Sequence, residues 1–193
     1  MSTLKGKRIG IALTGSFCTF DIVLDCMREL VNQGAVITAI LSYATNETDT
    51  RFGKAQDLKE ELSRITNLPI IHTITQAEPI GPGRLFDALA VLPATGNTIA
   101  KIATGIADTP VTMAVKSHLR NNGAVILGIS SNDALSTGAK NIGQLLNTRN
   151  IYFVPFGQDF PTEKPRSLVF KSEYVVKAIE EALVGCQVQP ILV

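Results

Sequence analysis

The chain has 193 residues, 45% of them hydrophobic, and is long enough to form one domain with a full hydrophobic core. Its 18 basic and 17 acidic residues give a net charge of +1, which argues against a protein that binds nucleic acid or membrane surfaces through a basic excess. Three widely spaced cysteines, Cys18, Cys26 and Cys186, are typical of free thiols in a reducing compartment. No apolar run is long enough for a signal peptide or a membrane span, so we expect a soluble, cytoplasmic protein.

Apolar runs typical of buried parallel strands alternate with helical patterns along the first half of the chain. Strands are predicted over residues 8–13, 35–41, 68–71 and 87–92. Apolar residues spaced three and four apart predict helices over residues 20–31 and 54–66, the first of them closed by Gly34. Residues 76–84 contain two prolines and two glycines and are predicted to form a loop.

The second half of the chain continues this alternation. Helices are predicted from residue 95 onward and over 111–121, 135–146 and 173–183, with strands over 124–129 and 151–155 and a tail over 185–193. About six strand–helix alternations predict an α/β fold, with a three-layer, Rossmann-like (flavodoxin-like) open parallel sheet that has helices on both faces. We expect a single domain over residues 1–193.

Two polar turns each join a predicted strand to a predicted helix. Thr14-Gly15-Ser16-Phe17 follows the first strand, and Thr95-Gly96-Asn97-Thr98 follows the strand over 87–92. Ligands of open α/β sheets bind beyond the carboxyl ends of the strands, where the strand order reverses. If the two strands are neighbours, two helix N-termini converge on one anion, such as a phosphate dianion. Ser42 and Thr45 follow the second strand, where a loop would reach the same phosphate.

The first turn does not have the pattern of a dinucleotide-binding fold. Such a fold needs G-x-G-x-x-G in this turn and an acidic residue after the second strand. This chain has one glycine there, Gly15, and no acidic residue after the second strand until Glu47. The pattern therefore favours a mononucleotide phosphate, although Asn97 and Thr98 could also serve only as helix caps.

The segment from Pro93 to Asp108, PATGNTIAKIATGIAD, resembles the P-A-(S/T)-x-N-T-I-A-K-I-A-x-G-I-A-D segment of the homo-oligomeric flavin-containing Cys decarboxylase family. The resemblance implies a flavoprotein domain with FMN as its cofactor. It also implies a homo-oligomer built from trimers, up to dodecamers. The segment after the A-D motif lies near the isoalloxazine edge in this family. The implied FMN contacts are Gly15, Ser16, Phe17, Ser42, Thr45, Thr95, Gly96, Asn97, Thr98, Thr112, Met113 and Ala114.

Three later segments resemble one branch of that family. They read N-D-x-L-x-x-x-A-K-N-I-G from Asn132, Y-F-V-P-F-G-Q-D from Tyr152 and K-P-x-S-L-V from Lys164. The branch comprises the flavoprotein components of a sporulation oxidoreductase whose companion component is nicotinamide-dependent. The resemblance implies that the chain takes part in oxidising a dihydrodipicolinate-type dicarboxylate to dipicolinate (pyridine-2,6-dicarboxylate).

Several basic and amide side chains are candidates for binding such a dicarboxylate. Lys116 and Arg120 lie four residues apart on one helix face, where Arg offers a bidentate fork, although a solvated basic face has the same spacing. Lys140 is a third candidate cation, and Asn132 and Asn141 could hydrogen-bond the substrate or the flavin. The sequence assigns no catalytic residue and no metal site.

Three other functions remain open from the sequence. The first is an FMN-dependent decarboxylase of a cysteine-ended substrate, but the chain lacks the P-x-M-N-x-x-M-W substrate clamp of those enzymes. The second is a prenyltransferase, which would need a basic site for the phosphate of its substrate. The basic residues are scattered, and only Lys164 and Arg166 are close together in the sequence. The third is a non-catalytic assembly protein that supports a nicotinamide-dependent partner. Which of the two components performs the oxidation is left open as well.

Overall fold

The computed structural model describes residues 3–193, in which a central sheet is flanked by helices. The strands are β1 (Arg8–Leu13), β2 (Val36–Leu41), β3 (Ala88–Ala94), β4 (Ala124–Ser131), β5 (Ile151–Phe153), β6 (Phe156–Gly157) and β7 (Leu168–Phe170). The helices are α1 (Phe20–Asn32), α2 (Tyr43–Glu47), α3 (Ala55–Thr66), α4 (Ile74–Ala77), α5 (Gly96–Thr104), α6 (Pro110–Arg120), α7 (Ala139–Leu146) and α8 (Val175–Leu183). None of the helices within residues 3–193 is long and apolar enough to cross a membrane.

The strand order places a reversal point in the middle of the sheet. The order begins β2-β1-β3-β4, and all of these neighbours pair in parallel. Beyond β4, β5 pairs in parallel, whereas β7 pairs antiparallel with β4, and β6 antiparallel with β7. The predicted α/β fold is confirmed, and the short antiparallel pair makes the sheet mixed rather than wholly parallel. The order reverses between β1 and β3, so ligands are expected beyond the carboxyl ends of these two strands.

The core consists of two apolar layers, one on each face of the sheet. Ile9, Ile11 and Leu13 of β1 point into the layer formed with α1, α3 and α8. Ala12 of the same strand and Val91 of β3 point into the layer formed with α5, α6 and α7. Because both faces are covered, the central strands are apolar at nearly every position, which is why they read as continuous runs in the sequence.

Three local predictions were wrong in detail, and one short helix was missed. Residues 68–71 form only an isolated bridge between Ile71 and Ile40, because Pro69 has no N–H to donate to a ladder. The predicted loop over 76–84 instead begins with the end of α4, which a capping box between Thr73 and Gln76 stabilises. Helix α7 begins at Ala139, since residues 132–138 form turns, and the short α2 was not predicted.

His118 is buried near the amino-terminal ends of β3 and β4, away from the reversal point. Its side chain is packed against Gly123, where an added Cβ would overlap the imidazole ring. Burial lowers the pKa of His118 below its ordinary 6.5, although a hydrogen bond with the Ala124 backbone and the charge of Asp87 oppose that effect. The folded state therefore binds a proton less readily than the unfolded state does.

We expect this histidine to make the fold less stable in acid. The stabilisation due to neutral His118 is present above the unfolded pKa of about 6.5 and is lost as the pH falls below it. Urea unfolding should therefore show that lowering the pH from 7.5 to 5.5 reduces the unfolding free energy more in the wild type than in His118→Gln. Equal losses in the two proteins would contradict the assignment.

Candidate functional site

Three strands of the sheet end in hydroxyl side chains that face one cleft. Thr14 follows β1, Ser42 follows β2 and Thr95 follows β3. The cleft has a volume of about 370 Å³. Its lining residues, which define the hydroxyl cleft, are Thr14, Gly15, Ser42, Tyr43, Ala44, Thr95, Asn97, Thr98, Lys101 and Thr109.

Three helices begin at the hydroxyl cleft, each capped by one of its hydroxyl groups. The Ser42 hydroxyl accepts a hydrogen bond from the Thr45 N–H at 3.3 Å, at the start of α2. The Thr95 hydroxyl accepts one from the Thr98 N–H at 3.4 Å in α5, and the Thr109 hydroxyl accepts one from the Thr112 N–H at 3.1 Å in α6. The remaining N–H groups of each first turn have no partner inside the helix. Their partial positive charge and the helix dipoles make the cleft a site for an anion.

Thr14 fixes the two strand ends at the reversal point relative to each other. Its side chain is buried, and its Oγ1 donates to the Pro93 carbonyl oxygen at 2.7 Å and accepts from the Thr95 N–H at 3.1 Å. The end of β1 is thereby joined to the beginning of α5. This link positions the hydroxyl of Thr95 at the centre of the site.

The cation in the hydroxyl cleft is already paired. Lys101 Nζ lies 2.8 Å from both carboxylate oxygens of Asp108, and this hydrogen bond lowers the pKa of that carboxyl below its ordinary value. An anion in the cleft would therefore be held mainly by hydroxyl and N–H donors. A mononucleotide phosphate is an anion of this kind.

A second cleft opens on the other side of Gly15 and Thr95 and has a volume of about 280 Å³. Its lining residues, which define the serine cleft, are Gly15, Ser16, Cys18, Thr19, Thr95, Gly96, Ser130, Ser131, Asn132, Asp133, Asp159, Lys164, Ser167 and Val169. Ser16 and Ser130 lie 2.7 Å apart between their hydroxyl oxygens. A Cβ at Gly96 would come within 2.7 Å of the Ser131 hydroxyl oxygen, so the start of α5 lies close to the end of β4.

A third cleft of about 350 Å³, lined by both aromatic and charged side chains, adjoins the serine cleft beside Cys18. Phe17 and Phe20 line it with their rings 5.3 Å apart, together with the exposed Phe52. Thr45 also borders it, but its side chain is buried and lies 2.9 Å from the Ser42 hydroxyl. Phe17 and Thr45 therefore border the site from this side.

The structure brings most of the predicted cofactor residues together at the two clefts. Those that line one or both are Gly15, Ser16, Ser42, Thr95, Gly96, Asn97 and Thr98. Thr112, Met113 and Ala114 lie inside α6 and line neither cleft. The N–H groups of Thr112 and Met113 already pair with Thr109, so flavin contacts from these three residues stay a prediction.

Among the predicted substrate residues, Asn132 lines the serine cleft. Lys116 and Arg120 lie in the second half of α6, toward the amino-terminal edge of the sheet, and line neither cleft. Lys140 and Asn141 lie in the first turn of α7 and line neither cleft either. Substrate binding by these four residues stays a prediction.

Sequence reasoning assigned no FMN or substrate contact to several residues that line the clefts, although it named Thr14 in a polar turn and Lys164 for a prenyltransferase. Thr14, Ser130 and Ser131 stand at carboxyl ends of strands, which is the signal that could have found them. Lys164 and Asp159 come from the loop between β6 and β7, and no strand or helix pattern indicates that this loop folds over the site. Burial works to raise the pKa of Asp159, but the nearby Ser167 and Lys164 side chains outweigh it and lower that pKa.

The chain is similar to known proteins over its whole length. The family model described as Flavoprotein matches residues 1–181. The B subunit of dipicolinate synthase from Bacillus subtilis is 45% identical over 193 residues, which cover 100% of this chain and 96% of the relative. Of the part that the structure describes, no group of three or more His, Cys, Asp or Glu side chains is placed to hold a metal ion.

Solved structures share the fold. The structure of the dipicolinate synthase B subunit from Bacillus halodurans is 44% identical with a TM-score of 0.91, covering 98% of this chain and 97% of that chain. The structure of AnUbiX in complex with FMN and dimethylallyl pyrophosphate is 15% identical with a TM-score of 0.62, covering 93% of this chain and 91% of that chain. At that identity, the second likeness concerns the fold alone.

Proposed function

This chain belongs to the flavoprotein family, and on that premise we propose that it is the FMN-binding B subunit of a dipicolinate synthase. The observation that carries the proposal is the 45% identity over the full chain to a protein of that name. The proposed reaction is the oxidation of a dihydrodipicolinate-type dicarboxylate to dipicolinate, in the cytoplasm during sporulation.

The residues present at the site fit FMN. A phosphate group suits the hydroxyl cleft, where Ser42, Thr95 and Thr109 mark three helix N-termini. Gly15 lines both clefts, and a Cβ there would project toward Phe17 and Ala44, so the absence of a side chain keeps the junction open. The two clefts together have a volume in the range of ligand sites, which the cofactor and its substrate would share.

The proposed chemistry assigns separate tasks to the two clefts. When bound, FMN would supply an acceptor for two electrons as the dihydropyridine ring becomes aromatic. The hydroxyl cleft would hold the phosphate end of the cofactor, and the serine cleft would hold the substrate beside Gly15 and Thr95. The protein contributes mainly orientation, because two groups fixed side by side react as one molecule.

The proposed partner is the nicotinamide-dependent A subunit of dipicolinate synthase. The Bacillus subtilis relative is named as the B subunit of its enzyme, which supports the existence of such a companion. We also propose that the chain forms a homo-oligomer based on trimers. The exposed apolar side chains of Phe52, Leu135 and Phe160, 47–65% exposed, are suited to burial in such contacts.

Anaerobic mixing of the FMN-loaded chain with its substrate tests the oxidoreductase role. The proposal predicts that dihydrodipicolinate bleaches the visible flavin band in proportion to the dipicolinate formed, when the nicotinamide-dependent partner is present. The apoprotein with the same partner is the matched control and should form product far more slowly. If the partner forms dipicolinate equally fast with the apoprotein, this chain has an assembly role and the proposed oxidation is wrong.

A further inference from the structure

We propose that Lys164 binds a carboxylate group of the substrate in the serine cleft and that Asp159 positions this lysine, an assignment that rests on the proposed function. Lys164 is the only lysine or arginine among the described residues that line this cleft, whose other charged side chains are Asp133 and Asp159. A dicarboxylate substrate carries two negative charges, and an ammonium group beside it forms short, charge-assisted hydrogen bonds. The serine cleft therefore offers one such bond, from a defined residue.

The loop that carries Lys164 is held in place by its own hydrogen bonds. The Lys164 N–H donates to the Phe160 carbonyl at 2.8 Å, and the Ser167 N–H donates to the Lys164 carbonyl at 3.0 Å. The side chain of Gln158 adds a bond to the Pro165 carbonyl at 2.9 Å. The lysine is thus part of an ordered turn over the cleft.

Asp159 orients the ammonium group without using all of its donors. Its Oδ2 lies 3.3 Å from Lys164 Nζ, and the lysine side chain remains 46% exposed. An ammonium has three N–H donors, so two remain for a ligand. The Nζ also lies 5.2 Å from the centre of the Phe160 ring, which further restricts where it points.

Hydroxyl groups from the turn after β1 and from the end of β4 complete a carboxylate site. Ser16 and Ser130 pair with each other at 2.7 Å, and either hydroxyl could turn to donate to a carboxylate oxygen. Both residues line the serine cleft with Lys164, next to the junction with the hydroxyl cleft at Gly15 and Thr95. A carboxylate held here would keep the substrate ring beside a cofactor bound across that junction.

Titration of pyridine-2,6-dicarboxylate into the FMN-loaded chain tests the assignment. Calorimetry should show binding that is about tenfold or more weaker in Lys164→Gln, since a hydrogen bond to a charged group is lost. Lys164→Arg keeps the charge and should bind within about threefold of the wild type. Lys177→Gln, a charge removal on the exposed face of α8, is the matched control and should bind like the wild type.

The FMN content of each protein separates the two levels of the proposal. Suppose that the wild type and Lys164→Gln hold the same amount of FMN. If they then also bind the dicarboxylate with the same affinity, the Lys164 assignment is wrong and the proposed function stands. If the wild type holds FMN but does not bind the dicarboxylate, the assignment is also wrong. If the wild type does not take up FMN, the proposed function fails and the assignment fails with it.

Discussion

Replacing Gly15 by valine is expected to weaken FMN binding strongly while the chain stays folded. Gly15 stands at the junction of the hydroxyl and serine clefts and contributes to both walls. A Cβ at this position would lie 3.7 Å from the Phe17 ring and 4.0 Å from the Ala44 Cβ, which are ordinary contacts, so the fold tolerates it. The larger valine side chain would instead extend into the space beside Phe17 and Ala44, where the proposed cofactor would pass Gly15.

Equilibrium dialysis against FMN measures this effect directly. We expect the affinity of Gly15→Val to fall about 100-fold or more, which corresponds to about 2.7 kcal/mol. Gly143→Val adds the same side chain to α7, where nothing lies within 4 Å, and should bind FMN like the wild type. Wild-type affinity in a folded Gly15→Val protein would show that the cofactor does not cross this junction.

A single methyl group at Gly81 is expected to cost about 3 kcal/mol of unfolding free energy. Its Cβ would overlap the carbonyl oxygen of Ser117 in α6 and come within 2.6 Å of the Asn121 side-chain nitrogen. A backbone oxygen cannot move aside by a rotamer change. The turn and α6 would have to separate, which would break the 2.9 Å hydrogen bond from the Ser117 hydroxyl to the Glu78 carbonyl.

Urea unfolding of Gly81→Ala and Gly143→Ala compares a crowded glycine with an open one. Gly143 lies inside α7 with open space around it, so alanine there should stabilise the chain by about 0.5–1 kcal/mol. The two substitutions add the same atoms and are predicted to have opposite signs. Equal effects would show that the contact with Ser117 does not control stability at Gly81.

The sequence predicts those parts of the fold that depend on local pattern. Strands β1 to β4 are buried on both faces, so their apolar runs identify them without knowledge of their neighbours. The short β6 and β7 have three residues or fewer and gain their stability from pairing with β4 and with each other. Such pairing joins residues distant in the chain and leaves no local pattern to detect.

The site residues that were predicted are likewise those that a local pattern places, and those that were not predicted depend on contacts between distant parts of the chain. Gly15, Ser42 and Thr95 follow β1, β2 and β3, which are parallel, so their carboxyl ends lie at one edge of the sheet. Lys116 and Arg120 share a helix face by their spacing, but spacing does not say which end of the helix lies at the site. Lys164 reaches the serine cleft only because the β6–β7 loop folds over it, a long-range contact.

The visible absorption spectrum of the purified chain, with mass analysis of the cofactor released on denaturation, tests the central claim most directly. A flavin-binding site at the reversal point between β1 and β3 predicts an oxidised-flavin spectrum and the release of FMN. It also predicts that apoprotein regains the spectrum when FMN is added. A colourless protein that takes up no added FMN would contradict the site and the function built on it.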